Sequence, residues 1–220
     1  MRVGKSFVGD KLRTHRYEVE ELRRLWKARV PHPVPVNHAW GMDLTGKPDA
    51  SGHCHAIAAI VDHGSRRVLC LSALKDKASI TLLRLLLDAV ERFGLPRALR
   101  TDNEAVCVSR WFRFGLWWLG IRHQRTAPGC PWQNGKVERF FGTLKERLNH
   151  WQVAGREELQ RALGLSAFWY NEVRPHRHLA GLTPMEAWYG IDPFAPSNAP
   201  KEAVFFCEWD GLLTGFYLRR

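Results

Sequence analysis

Long hydrophobic runs are missing from this 220-residue chain. Nowhere do 18 uncharged apolar residues follow one another, so no transmembrane helix is expected. The opening Met-Arg-Val-Gly-Lys-Ser lacks the apolar stretch of a secretory signal. Cysteine is scarce and odd in number: five residues, scattered, do not make a disulfide framework and point to a reducing compartment. Internal repeats and low-complexity tracts are absent. The G-x-S-x-G turn of a serine hydrolase is absent too. Negative charge is in short supply, with 22 Asp and Glu against 33 Lys and Arg, a net +11. That excess asks for a polyanionic partner, either nucleic acid or an acidic membrane surface. No helical stretch combines a basic face with exposed aromatics, which weighs against the membrane.

The positive charge is concentrated. Residues 1–36 carry nine basic and four acidic side chains, and residues 121–150 carry six and two. Residues 10–28 read as one helix, and Pro31-His32-Pro33-Val34-Pro35 as an extended linker. Strands are expected at 38–44, 54–62 and 67–73. A helix then runs from Lys77 to about Arg92, capped by Asp76 and stopped by Gly94 and Pro96. A short strand at 97–101 ends at Asp102. Residues 105–119 read as an aromatic-rich helix, with Trp111, Trp117 and Trp118 expected to pack in the core. A strand at 121–125 and helices at 133–150 and 156–173 follow, then a turn-rich stretch and a hairpin around Asp210-Gly211. The succession is that of a mixed α/β fold with helices covering a sheet.

Three acids stand out. Asp43 closes the first strand, Asp102 closes the strand after the long helix, and Glu138 lies within a later helix. Acids at strand ends mark the ligand crevice of an open α/β sheet. A carboxylate flanked by apolar residues needs a partner or a metal, and Mg²⁺ takes few protein carboxylates while keeping substrate phosphates. In the later helix, Val137, Phe141, Leu144, Leu148 and Trp151 form one apolar stripe. Glu138, Gly142, Lys145 and Asn149 share the adjoining face, which pattern alone leaves open as a solvated surface or a ligand-facing one. In His53-Cys54-His55, neighbouring side chains point to opposite faces of a strand, which argues against a zinc site.

At these residues the chain resembles the integrase-core superfamily, the retroviral integrases and the DDE transposases of bacterial insertion sequences. Asp43 and Asp102 have 58 residues between them, and Asp102 and Glu138 have 35, the spacing of that group's D,D(35)E signature. Thr101-Asp102-Asn103 resembles its T/S-D-N/R word. Pro131 to Phe140 resembles its P-x-x-N-G-x-x-E-R-F block, and Lys145 stands where a basic residue is typical. Tyr170-Asn171, Arg174-Pro175-His176 and Leu182-Thr183-Pro184 resemble the closing motif of insertion-sequence transposases. Glu104 stands where the family usually has Gly, and no His-His-Cys-Cys module precedes the core.

The resemblance implies an RNase H-like fold: a mixed five-stranded sheet flanked by helices, with its first and fourth strands adjacent. Around it we expect an N-terminal helical arm and linker over 1–36, a catalytic core over 37–176 and a turn-rich segment with a hairpin over 177–220. It implies Mg²⁺ or Mn²⁺ held by Asp43, Asp102 and Glu138, cleavage of a phosphodiester at an element end, and attack of the freed 3′-hydroxyl on target DNA. Lys145, Lys136 and Arg139 would hold phosphates, and Asn134, Gln133 and Trp132 would contact DNA. A homo-oligomer working on DNA ends in the bacterial cytoplasm, close to the nucleoid and away from membranes, is expected. The alternatives are a nuclease of the same fold that cuts without joining, and an inactive DNA-binding remnant.

Overall fold

The computed structural model describes residues 4–27, 33–127, 134–193, 195 and 202–219. The chain divides into two compact units, Met1–Pro33 and Val34–Arg220. The first unit holds two helices, α1 (Lys5–Thr14) and α2 (Arg16–Lys27), where the sequence reads as one. The break falls at His15, whose backbone closes α1 while its ring pairs with Glu18. α1 has no buried residue.

The second unit is built on a five-stranded sheet: β1 (Ala39–Pro48), β2 (Cys54–Asp62), β3 (Val68–Ala73), β4 (Ala98–Thr101) and β5 (Arg122–Arg125). The order across the sheet is β3-β2-β1-β4-β5. The first three strands form an antiparallel meander, and β4 and β5 add in parallel to β1. β1 runs beyond its expected end, since Thr45 to Pro48 pair with Ile57 to Cys54. Asp43 therefore lies within the strand rather than at its end.

Helices cover both faces. α3 (Ser79–Phe93), α4 (Ala105–Val108) and α5 (Arg110–Trp118) lie on one, and α6 (Gly135–Leu148) and α7 (Arg156–Phe168) on the other. β2 reads as a continuous apolar run because both its faces are buried. Ala58 and Ile60 meet Leu82, Leu86, Phe112 and Leu116, while Ile57, Ala59 and Val61 meet Val137, Phe141, Leu144 and Leu148. The apolar stripe expected on α6 is thus its buried face, widened by Phe140.

Several boundaries move for local reasons. Asp76 caps ahead of α3 by accepting from Ala78 N and Thr81 Oγ1, so the helix begins at Ser79. The aromatic helix is split by Ser109, whose hydroxyl accepts from Phe112 N and caps α5. α7 widens into a π turn at Trp169–Val173, where Asn171 exchanges two hydrogen bonds with the Val68 backbone and ties that turn to β3. A 3₁₀ turn (Arg177–Leu179) and a short helix, α8 (Pro184–Tyr189), occupy part of the stretch expected to be only turns. The hairpin is present as β6 (Glu202–Glu208) and β7 (Leu213–Arg219), with positive φ at Asp210 and Gly211. Trp209 and Leu213 join the core beneath α6 and α7.

One expectation fails outright. Trp111, Trp117 and Trp118 are not core residues: they are 73%, 73% and 72% exposed. α5 buries Phe112, Gly115 and Leu116, and this spacing fixes the inward face and leaves the tryptophans outside.

Candidate active site

Gly41 and Asp43 are two residues apart on β1 and share one face of the sheet. Trp40 and Met42 point the other way, into the core beneath α3 and α5. A Cβ on Gly41 would lie 2.5 Å from Val137 Cγ2, 2.6 Å from His63 Nε2 and 3.0 Å from Asn134 Oδ1. The missing side chain is what lets the start of α6 seat on β1. Val137, the buried anchor of that contact, is followed by Glu138 in the first turn of the helix.

Asp102 arrives from the other side. β1 and β4 pair in parallel through Gly41 and Arg100, and two more steps in that register bring Asp43 level with Asp102. The turn after β4 is pinned locally. Thr101 Oγ1 donates to the Asp102 carbonyl at 2.9 Å and lies 2.9 Å from His123 Nε2, while Asp102 Oδ1 accepts from Glu104 N at 3.1 Å.

Electrostatics shows the four acids acting on one another. Asp43 accepts one hydrogen bond, from Leu44 N at 2.8 Å. Burial nevertheless pushes its carboxyl up from 3.8 to about 6, with the charges of Asp102, Glu104 and Glu138 adding to the rise. The nearby Cys107 thiol registers the same field: burial first, then Asp102, Glu104 and Asp43, push it up to about 12. Glu104 is therefore part of the acidic site. Among the described residues no three His, Cys, Asp or Glu side chains form a ready-made metal cage. The carboxylates are neighbours through charge. Their donor chemistry still suits a hard divalent cation, which takes oxygen ligands and would neutralise the repulsion centred on Asp43.

This gives a signed expectation. A carboxyl whose folded pKa is raised binds more protons in the folded state, so stability is lost as pH climbs from about 4 to about 6. Cation-free Asp43→Asn protein is expected to be about 1–3 kcal/mol more stable than wild type at pH 7.5 and equal to it near pH 4. Urea melts at the two pH values check this, and equal midpoints at both would contradict it.

The residues expected to hold DNA fall into different settings. Lys145 is exposed two turns beyond Glu138, and Gly142 between them has no atom within 4 Å of where a Cβ would stand. Arg139 is exposed, with Nη1 3.4 Å from His178 Nε2. Lys136 turns inward. Its Nζ donates to the His63 carbonyl at 2.7 Å, and burial with Arg66 and Arg100 holds its ammonium down at about 8. Asn134 is 2% exposed, and its Nδ2 donates to the Met42 carbonyl at 3.4 Å. It thus fastens the start of α6 to β1. Gln133, Trp132 and Cys130 lie outside the described residues.

Sequence reasoning misses Gly41 and His63. His63 is buried, and burial together with Lys136, Arg100 and Arg66 drives its imidazole down to about 3, so it is neutral. A glycine two residues before a strand aspartate was the available signal for close helix approach; His63 carried none.

Two family models, each described as an integrase core domain, match residues 34–131 and 119–184. An insertion element IS476 protein of 39.2 kDa from Xanthomonas euvesicatoria is 30% identical over 181 residues, covering 80% of this chain and 50% of that protein. The Pol polyprotein of Radiation murine leukemia virus is 33% identical over 168 residues, 75% of this chain and 28% of the polyprotein. The chain thus spans half the insertion-element relative and a smaller share of the viral one. Among solved structures, the HTLV-2 integrase catalytic core domain in complex with magnesium superposes with a TM-score of 0.59 at 22% identity, over 71% of this chain and 99% of that one. A simian T-cell lymphotropic virus intasome, solved with the PP2A regulatory subunit B56 gamma, gives 0.62 at 22% identity, over 82% and 66%. These likenesses fix the fold.

Proposed function

This chain belongs to the integrase-core family, and from that premise we propose that it is a cation-dependent DNA strand transferase of the transposase and integrase kind. The observation that carries the reading is the meeting of acids from β1, the end of β4 and the first turn of α6 around Asp43. Asp43 and Asp102 act as paired ligands for Mg²⁺ or Mn²⁺, and Glu138 completes the set. When bound, the cation supplies Lewis acidity and charge neutralisation at the scissile phosphate. Glu104 adds a fourth carboxylate beside these ligands.

The chain's other residues prepare the substrate. Lys145 and Arg139, exposed on the helix that carries Glu138, hold flanking phosphates as point charges or through a guanidinium fork. The open space over Gly142 lets a DNA backbone approach α6. No side chain acts as a nucleophile: a water hydrolyses the first phosphodiester, and the freed 3′-hydroxyl attacks the second. Each step is an in-line displacement at phosphorus that needs positioning more than covalent help. The protein acts on DNA as a multimer, in keeping with paired ends, and works in the bacterial cytoplasm beside the nucleoid.

The test is incubation of the full chain with supercoiled plasmid and Mg²⁺ or Mn²⁺, with products resolved on denaturing gels. Joined strands that depend on the cation are expected. Nicks without joined strands would assign a nuclease, and cation-independent products would overturn the reading.

A further inference from the structure

α5 presents a side unlike any other helix surface of this protein. Trp111, Phe114, Trp117 and Trp118 are all exposed on nine residues of helix. The inward residues are Phe112, Gly115 and Leu116. Gly115 is where α5 meets α3, since a Cβ there would fall 2.6 Å from Leu83 Cδ1. By helical geometry Trp111 and Trp118 flank Gly115 on the side toward α3, with Phe114 next to them. On α3, Ile80 and Leu87 lie one turn either side of Leu83 and are also exposed. The aromatic face of α5 and the aliphatic edge of α3 therefore form one continuous apolar seam.

We infer that this seam docks a second copy of the chain. The inference deepens the multimeric part of the proposed function, and it concerns a surface made of helices that carry none of the three proposed ligands.

Area is the first argument. Four aromatics, each worth about 150–250 Å² and more than half exposed, present roughly 500 Å² of apolar surface before Ile80 and Leu87 are added. A monomer's largest patch is about 300–600 Å², and a stable interface takes about 800 Å² from each partner. The seam lies at the top of the first range and supplies most of the second.

Charge is the second argument, and it selects the occupant. Arg110 and Arg113 lie along α5 beside the aromatics, while Glu91 follows Ile80, Arg84 and Leu87 on the exposed face of α3. A two-fold axis lets each surface supply what the other lacks, because residue i meets j and j meets i. Arginines of one α5 then face Glu91 and the indole rings of the other copy. A single-stranded nucleic acid would use the aromatics and arginines, but it gains nothing from Ile80 and Leu87 and is repelled by Glu91.

Sedimentation velocity of the full chain, from about 1 to 100 µM and without DNA, tests this. Wild type is expected to dimerise within that range. Trp111→Glu and Trp118→Glu should each weaken the dimer by about 30- to 1,000-fold. Phe216→Ser, on the exposed side of the hairpin, and Glu138→Gln should sediment as wild type does. Far-ultraviolet circular dichroism and melting temperature confirm that the variants are folded, and the milder Trp118→Ser gives the same direction with less perturbation. Dimers that survive both tryptophan changes would overturn the assignment of the seam while leaving a multimeric enzyme standing. A wild type that stays monomeric to the top of the range would overturn it as well, even if an oligonucleotide bound the tryptophans. Strand joining, measured separately, reports on the chemistry alone.

Discussion

Glu138→Gln is expected to lower cleavage and joining by about 10³-fold or more while leaving the fold as it is. The magnitude follows from the proposed role. A carboxylate that completes a cation site supplies several kcal/mol of charge stabilisation where the phosphorane charge develops, and each 1.36 kcal/mol is tenfold in rate. The specificity follows from position. Glu138 is exposed in the first turn of α6, with the buried anchor Val137 beside it. The amide keeps the size and removes one of the charges that act on Asp43. Stability should move by no more than about 0.5–1 kcal/mol, the loss of a favourable acid at a helix start being offset by relief of repulsion at Asp43. Kinetics on plasmid DNA and a thermal melt on the same preparation separate the two effects. Full activity in the variant would remove Glu138 from the site.

The second large effect is at a residue that touches neither DNA nor cation. Gly41→Ala places a Cβ 2.5 Å from Val137 Cγ2 and 2.6 Å from the buried ring of His63. Neither neighbour has room to yield, because Val137 and His63 are both held in the core. The start of α6 must shift off β1. Overpacking of this kind costs about 1–3 kcal/mol or more, which is about 3–10 °C in melting temperature for a chain of this size. Activity should fall by about 10²-fold even where the variant is fully folded, because Glu138 moves with the helix and a displacement near 1 Å is enough. Gly142→Ala is the matched control. It lies on the same helix with open space around it, and is expected to gain about 0.5–1 kcal/mol from helix propensity. Equal melting temperatures for wild type and Gly41→Ala would show that the contact is not tight.

Much of this arrangement was legible in the order of residues. The stripe Val137, Phe141, Leu144 and Leu148 set the buried face of α6, and so the face from which Glu138 emerges. The apolar run of β2, the meander and the adjacency of the first and fourth strands agree with the sheet observed. What failed did so for identifiable reasons. β1 was cut short because Gly46, Lys47 and Pro48 read as a turn, yet cross-strand pairing to Cys54, His55 and Ala56 holds them in the sheet. Trp111, Trp117 and Trp118 were assigned to the core on their apolarity, although the Phe112–Leu116 spacing already fixed the inward face. Asn134 and Lys136 look like DNA contacts from their place in the motif, but each spends its polar group on a backbone carbonyl, of Met42 and His63 respectively. Those partners lie 92 and 73 residues away in sequence, beyond the reach of any local pattern. Gly41 was silent for the same reason. The clash it avoids is with a helix that begins almost a hundred residues later.

The central claim is that carboxylates from β1, β4 and α6 share one divalent cation site. Calorimetric titration of Mn²⁺ into the cation-free full chain at pH 7.5, with Asp43→Asn and Glu138→Gln alongside, tests it most directly. The account predicts saturable binding to wild type and a rise in melting temperature with bound cation, binding weakened at least tenfold in Glu138→Gln, and both binding and thermal shift lost in Asp43→Asn. Identical isotherms for wild type and Asp43→Asn would place the cation elsewhere and contradict the claim.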